Sequence, residues 1–284
     1  CNLARYHIEV YDQHNALERL ETVWLDFEQG IDMLYITSTY GWLRIWWNVF
    51  RNKEDNQFGF NKKLLIILIY DSARLTAIMP LVLLTRKKMG IGFRYIELLG
   101  QQWGSALAGI IGNKIDPCLV DYLCSWLYAH LKFDVIRLTH LSDDHANRIL
   151  CRQGNLFSGC PYIRLKKYRS FNKYWEVVLS DHLKHNFRTM SNKLTKNGLS
   201  YTYAIETVNQ TNFSEIYRLS ECKLVDGKNC IYLEPAKRQF MYDIAKQFNG
   251  EVVFIKLDEK PVAYRLNLFH RDWKYCIDAS YDRV

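Results

Sequence analysis

The stretch EVVFIKLDEKPVAYRLNLFHRDWKYCIDASYDRV, Glu251 to Val284, decides the fold. Val252, Phe254 and Leu257 precede a turn at Asp258-Glu259-Lys260-Pro261. Val262, Tyr264, Leu266 and Leu268 then recur at every second residue, and after His270-Arg271-Asp272 come Trp273, Tyr275, Ile277 and Ala279. A period of two predicts three consecutive antiparallel strands with one face buried and the other open to solvent, a helix or a ligand. The same alternation places Asp278 on one face with Cys276 and Ser280.

Working back from this sheet, Ser200–Val208 reads as a strand and Asn212–Lys223 as a helix capped by Thr211 or Asn212. The loop Val225–Leu233 turns at Asp226-Gly227-Lys228-Asn229, and Glu234–Phe248 is a helix with Phe240, Ile244 and Phe248 on one stripe, closed by Asn249-Gly250. Further upstream, Leu183, Phe187, Met190 and Leu194 form a single apolar helical stripe ended by Gly198. Lys184, Arg188, Lys193 and Lys196, with His185, lie off it. That basic surface is either a solvated face opposite a core stripe or one that meets an anion. Nucleic-acid binding would interleave exposed aromatics with the cations, whereas Phe187 lies on the apolar stripe, so DNA is not expected as a partner.

The first half carries a second hairpin of the same plan. LIYDSARLTAIMPLVLL, Leu68 to Leu84, and FIKLDEKPVAYRLNLF, Phe254 to Phe269, each run from an apolar strand through a short polar turn into a strand with an early alanine, Ala77 or Ala263. Two such hairpins suggest a duplicated unit. Pro80 is expected to interrupt its strand. The apolar run Leu64–Tyr70 is too short to cross a membrane and reads as a buried strand. Helices are expected over residues 14–29, with Asn15 as N-cap, over Ser38–Arg51, and over Pro117–Leu131. Trp42, Trp46 and Trp47 read as core rather than a sugar-stacking platform. A strand over Ile96–Leu99 leads into a glycine-punctuated loop, Gly100–Ser105, which lacks dinucleotide-fingerprint spacing. Phe133–Leu138 is a short strand, Asp143–Gln153 a helix ended by Gly154, and residues 155–172 are mostly extended.

In 284 residues, 49% hydrophobic and 14% aromatic, there is enough apolar matter for two cores, and disorder is excluded. A net charge of +8 favours an anionic partner, a phosphate-bearing cofactor, a nucleic acid or a membrane surface, among which composition does not choose, and is equally readable as a solvated basic surface with no partner. The eight cysteines show no C-x-x-C pair. Their scatter points to thiols in a reducing compartment, the cytoplasm, and no metal is expected. Nor is any transmembrane segment.

The hairpin DEKPVAYRLNLF followed by the strand ending ASYD resembles acyl-CoA-dependent acyltransferases of the GNAT superfamily, in particular the CelD/BioF-like branch related to the FemAB aminoacyl transferases, where two such domains sit in tandem. The basic helix reached through Trp175 resembles the one that opens the family's second domain. The resemblance implies an α/β (α+β) fold of tandem GNAT-like domains, each a mixed, mostly antiparallel sheet flanked by helices, over 1–160 and 161–284. In the family the fourth strand leads to a helix N-terminus whose amides hold the cofactor pyrophosphate. Nothing follows that strand here, so the second domain is expected to be incomplete and its cofactor loop absent.

The resemblance further implies direct transfer from acetyl-CoA or another acyl-CoA to an amine or hydroxyl of a sugar or cell-envelope-related acceptor. Asp278 and Asp282 are candidate bases and Tyr281 the acid for the leaving thiolate, with Arg265 and His270 as weaker nominees. Asp278 is equally readable as a surface carboxylate. Lys184, Arg188 and Arg265 are candidate substrate-binding cations. A non-catalytic GNAT-like binding module of polysaccharide machinery and a FemAB-like enzyme using aminoacyl-tRNA are the alternatives, because fold alone does not choose among them.

Overall fold

The computed structural model describes residues 5–52, 60–88, 90–105, 107–113, 115–142, 145–150 and 159–282. It is an α+β protein with a five-stranded mixed sheet and a four-stranded antiparallel sheet. The chain divides into two compact units. The first holds residues 1–155 with 235–247, and the second holds 156–234 with 248–284. The helix over 235–247, which the sequence places in the second domain, thus belongs to the first unit.

In the first unit β1 (Tyr6–Tyr11) is followed by α1 (Ala16–Gln29) and α2 (Tyr40–Phe50), then by β2 (Phe60–Asp71), β3 (Arg74–Lys88) and β4 (Ile91–Leu98), α3 (Pro117–His130), β5 (Val135–Ile136) and α4 (His145–Leu150). The strands pair in chain order, antiparallel except for β4 with β5. Leu64 to Ile69 are all buried, so β2 is covered on both faces, which is why its sequence is a continuous apolar run rather than an alternation. One face packs Ile67, Ile69, Ala77, Met79 and Ile96 against Leu119, Leu123 and Leu127 of α3. Trp42, Trp46 and Trp47 are all buried. Trp42 donates from Nε1 to Ser105 Oγ at 3.2 Å and Trp46 to the Trp103 carbonyl at 2.8 Å, fixing the Gly100–Ser105 loop on α2. Phe240 of α8 (Pro235–Gln247) stacks edge-on against Trp42 and Trp103 in the same cluster.

The second unit runs through α5 (Phe171–Val178), α6 (Asp181–Lys196), β6 (Tyr201–Thr207), α7 (Gln210–Glu221), 3-10 turns at Cys222–Asp226 and Ile231–Leu233, then β7 (Glu251–Leu257), β8 (Lys260–His270) and β9 (Trp273–Tyr281). All neighbouring strands are antiparallel. Val252, Phe254, Tyr264, Leu266 and Leu268 are buried on the face that α7 covers, and Tyr203, Ile205 and Tyr281 are exposed on the other.

The two hairpins share their register as well as their plan. In each, a two-residue turn (Ser72-Ala73, Asp258-Glu259) is followed by one unpaired residue, Thr76 or Val262. An alanine then faces an isoleucine, Ala77 with Ile69 and Ala263 with Ile255. The first turn residue donates its N–H to the residue just before the unit's first strand, Ser72 to Arg5 at 2.8 Å and Asp258 to Ser200 at 3.4 Å. Tyr6 and Tyr201 then occupy the same place in the pairing, opposite the last residue of the second strand.

Several expectations are corrected. Pro80 does not interrupt β3: its carbonyl accepts from Leu99 N at 2.9 Å, and its nitrogen faces the same side, just past the last β3–β4 pair, Leu81 with Leu98, where no N–H is required. Residues 159–170 are irregular apart from a 3-10 turn at Leu165–Lys167, and α5, a helix the sequence pattern does not separate from α6, begins at Phe171 behind a Ser170 cap and ends before Ser180, which caps α6. Asn209, not Thr211 or Asn212, caps α7, in a reciprocal box with Asn212. The strand expected over Phe133–Leu138 shrinks to Val135–Ile136. Cys118 is disulfide-bonded, contrary to the expectation of thiols throughout, while Cys124, Cys160, Cys222, Cys230 and Cys276 are free. The Gly154 helix end lies outside the described residues. Among the described residues no helix is long and apolar enough to cross a membrane.

Ala77 is fully buried beneath α3, and its counterpart Ala263 is not. Ala77→Leu should therefore destabilise by about 1–3 kcal/mol through overpacking, and Ala263→Leu by less than about 1 kcal/mol, in urea unfolding followed by circular dichroism.

Candidate functional site

Asp278, Ser280 and Asp282 follow one another on the side of β9 that faces α7, and each meets a group from that helix or the turns after it. Asp278 Oδ1 accepts from Lys223 Nζ at 2.8 Å. Its Oδ2 accepts from the Tyr232 hydroxyl at 3.0 Å and from the Tyr264 hydroxyl. Ser280 donates to the Leu219 carbonyl at 2.9 Å. Arg218 Nη1 stands 3.8 Å from Asp282 Oδ2 while its Nη2 donates to the Pro261 carbonyl, and the Asp282 N–H reaches the Val262 carbonyl.

A bulge in β9 makes this arrangement. Leu266 faces Asp278 but Asn267 faces Cys276, so Ile277 is an extra residue without a partner. Alternation is reset there. Asp278 and Ser280 share a face, as the periodicity predicts, but Cys276 is turned to the other side with Asn267 and is exposed. The expectation that Cys276 and Asp278 share a face fails for this reason.

The pocket around Asp278 is nearly closed, with 13% of its side chain and 21% of that of Lys223 exposed. Tyr232 and Tyr264 are buried. Burial, then the neighbouring Asp278 carboxylate and, for Tyr232, the Tyr264 ring, push both phenols well above their ordinary range, so both stay protonated donors. A carboxylate offers about four lone-pair directions, and three are taken, leaving Asp278 one free direction. Among the described residues Asp282 is less encumbered, with the Arg218 guanidinium at long range and a hydrogen bond shared with the Cys222 thiol. Burial and then Asp282 raise Cys222, which keeps it a thiol and a weak nucleophile.

The other nominated residues lie elsewhere. Tyr281 and Arg265 are exposed on the opposite face of the sheet, Tyr281 across from Ala263 and Arg265 across from Ala279. On α6, Lys184 donates to the Glu176 carbonyl and pairs with Asp181 at 3.5 Å, and Arg188 is exposed. His270 is half-buried at the end of β8, with Nε2 making no hydrogen bond among the described residues. Lys223, Tyr232 and Arg218, which build the cluster with the strand residues, carry no periodic signal, since two of them stand in or beside the turns around Gly227. Among the described residues no cluster of His, Cys, Asp and Glu is suited to a metal.

In the first unit, the helix after the fourth strand has a closed N-terminus. Asp116 accepts from Leu119 N at 2.8 Å, and Pro117 has no N–H to offer. Arg5 and Tyr6 also donate to this carboxylate. Burial raises its pKa, but the Leu119 amide, Tyr6 and Arg5 together outweigh burial and hold it below the ordinary value.

Removing the acceptor should disturb the second unit more than removing one donor. Asp278→Ala leaves an ammonium and two phenols unmatched and should cost about 2–3 kcal/mol, and Tyr264→Phe about 1 kcal/mol, in chemical unfolding. Burial, then Arg271, lowers the His270 pKa, so the unfolded chain binds the proton first. Stability should fall as pH drops below the ordinary histidine value and level off below the folded one, and His270→Gln should flatten that slope in thermal melts at pH 5 to 8.

With this geometry in hand, no protein-family model and no curated protein matches the chain.

Proposed function

We propose that the protein is an acyl-CoA-dependent N- or O-acyltransferase built from tandem GNAT-like domains, with acetyl as the donor group and a sugar or cell-envelope-related acceptor. The observation that supports this reading best is the repeat. In chain order each half runs strand, helix, helix, then three antiparallel strands, with the same hairpin turn, unpaired residue and alanine–isoleucine pair, although the second helix of the later run, α8, belongs to the first unit. Beside it stands the bulged fourth strand of the second unit, a device common next to active sites because it re-aims side chains.

In this reading the acceptor amine or hydroxyl attacks the thioester carbon, the carbon–sulfur bond breaks, and CoA leaves as a thiolate. The acceptor's proton passes to a carboxylate. Asp282 suits that role better than Asp278, because Asp278 already accepts three hydrogen bonds and is better suited to holding Lys223 and the two phenols. Tyr281 and Arg265 lie across the sheet from both carboxylates. Their nominated roles, thiolate protonation and substrate binding, require a substrate that reaches over the sheet edge. Lys184 and Arg188 remain the cations nominated for the donor's phosphates. The cytoplasm is the compartment that goes with the free thiols, and the Cys118 bond argues against it.

Thiol release from acetyl-CoA by the full-length protein tests the proposal. Asp282→Asn should lower turnover by about a hundredfold or more while leaving unfolding unchanged. Turnover undiminished in both Asp282→Asn and Asp278→Asn removes these carboxylates from the mechanism. The Asp278 carboxylate, with three of its acceptor directions already taken, also favours a second reading, a GNAT-like module that binds without catalysis. Calorimetry showing no heat with CoA would select it, and turnover only with aminoacyl-tRNA would select the FemAB-like chemistry.

A further inference from the structure

No residue of α5 or α6 is buried. Leu183, Phe187 and Met190, the stripe that periodicity assigns to a core, are each more than half exposed. The ring of Trp175 packs edge-on against Phe187 at 5.2 Å and lies 5.8 Å from Phe171, so the two helices share one open apolar ridge. An amphipathic helix gains little from its stripe until something covers it.

Charge says what that something is. Between residues 159 and 200 the acidic side chains are Glu176 and Asp181, against nine lysines and arginines. At 3.6 residues per turn, Lys184 and Lys193 border the α6 stripe on its two sides, with Arg188 and Lys196 farther round toward the opposite face. Arg188, Lys193 and Lys196 make no ion pair among the described residues. A second copy of the same surface would set cation against cation. A base-stacking partner would need rings among the cations, and here the rings lie on the stripe. The helix is too polar overall to span a bilayer, but an apolar ridge carrying Trp, Phe and Leu between two basic flanks is what lies in a headgroup layer.

We propose that α6, with α5 beside it, docks on an anionic lipid surface, with Leu183, Phe187 and Met190 at the acyl boundary and the flanking lysines and arginine among acidic headgroups. Basic side chains bordering such a stripe reach outward along their own stems to the phosphate level. This inference does not rest on the acyl-transfer reading, and it gives Lys184 and Arg188 to headgroups where that reading gives them to the donor's phosphates.

The test is co-sedimentation of the full chain with vesicles. Partition should be strong into phosphatidylcholine vesicles containing phosphatidylserine, weak into phosphatidylcholine alone, and reduced by salt. Phe187→Ser should lower it about tenfold. Arg188→Gln, Lys193→Gln and Lys196→Gln together should lower it roughly a hundredfold. All these positions are solvent-facing, so unchanged circular dichroism is expected to accompany both losses. The proposal is overturned by no partition at low ionic strength, or by partition indifferent to lipid charge. It is equally overturned by self-association that Phe187→Ser abolishes without vesicle binding, or by capture of single-stranded RNA in place of vesicles.

Discussion

The polar heart of the second unit depends on one unpaired residue. Side chains along a strand alternate with a period of two, so inserting Ile277 between the pairs Asn267–Cys276 and Leu266–Asp278 exchanges the faces of everything beyond it. Without the bulge, Asp278, Ser280 and Asp282 would point away from α7 while the hairpin partners Tyr264 and Leu266 still faced it. With it, a carboxylate arrives beneath a helix where two phenols and an ammonium need an acceptor. Burying those donors unmatched would be unfavourable, so the bulge and the cluster support each other.

The sheets were legible because their signals are local. Alternation in Val262–Leu268 and the unbroken apolar run of Leu64–Tyr70 each report how many faces of a strand are covered, and the structure agrees with both. The duplicated hairpin could be read from two alanines, although its register could not. The site was legible only in part. Asp278 and Asp282 stand out as acidic residues in an apolar strand, but their partners come from 3-10 turns whose geometry depends on Gly227 in the left-handed region. No periodicity reaches across such a turn. The Cys276 error has the same origin, because a bulge is a break in the period that prediction assumes.

Two elements escaped for opposite reasons. β1 has the alternation Tyr6, Ile8, Val10, but it is short and lies beside the start of the chain. α5 is hidden because its stripe merges with that of α6, from which only Leu179 and the capping Ser180 separate it. The stripe itself shows the limit of pattern reading: spacing identifies an apolar face, while what covers it is a tertiary matter. In α3 the answer is the sheet. In α6 nothing within the described residues covers it.

The closed start of α3 bears on what that helix can bind. The Asp116 carboxylate supplies an anion at the helix start from within the chain, held by an amide, a phenol and a guanidinium. A phosphate competing for that position would face a tethered rival at very high local concentration. The start of α3 is thereby self-ligated, and its amide and dipole are already answered by the chain's own carboxylate.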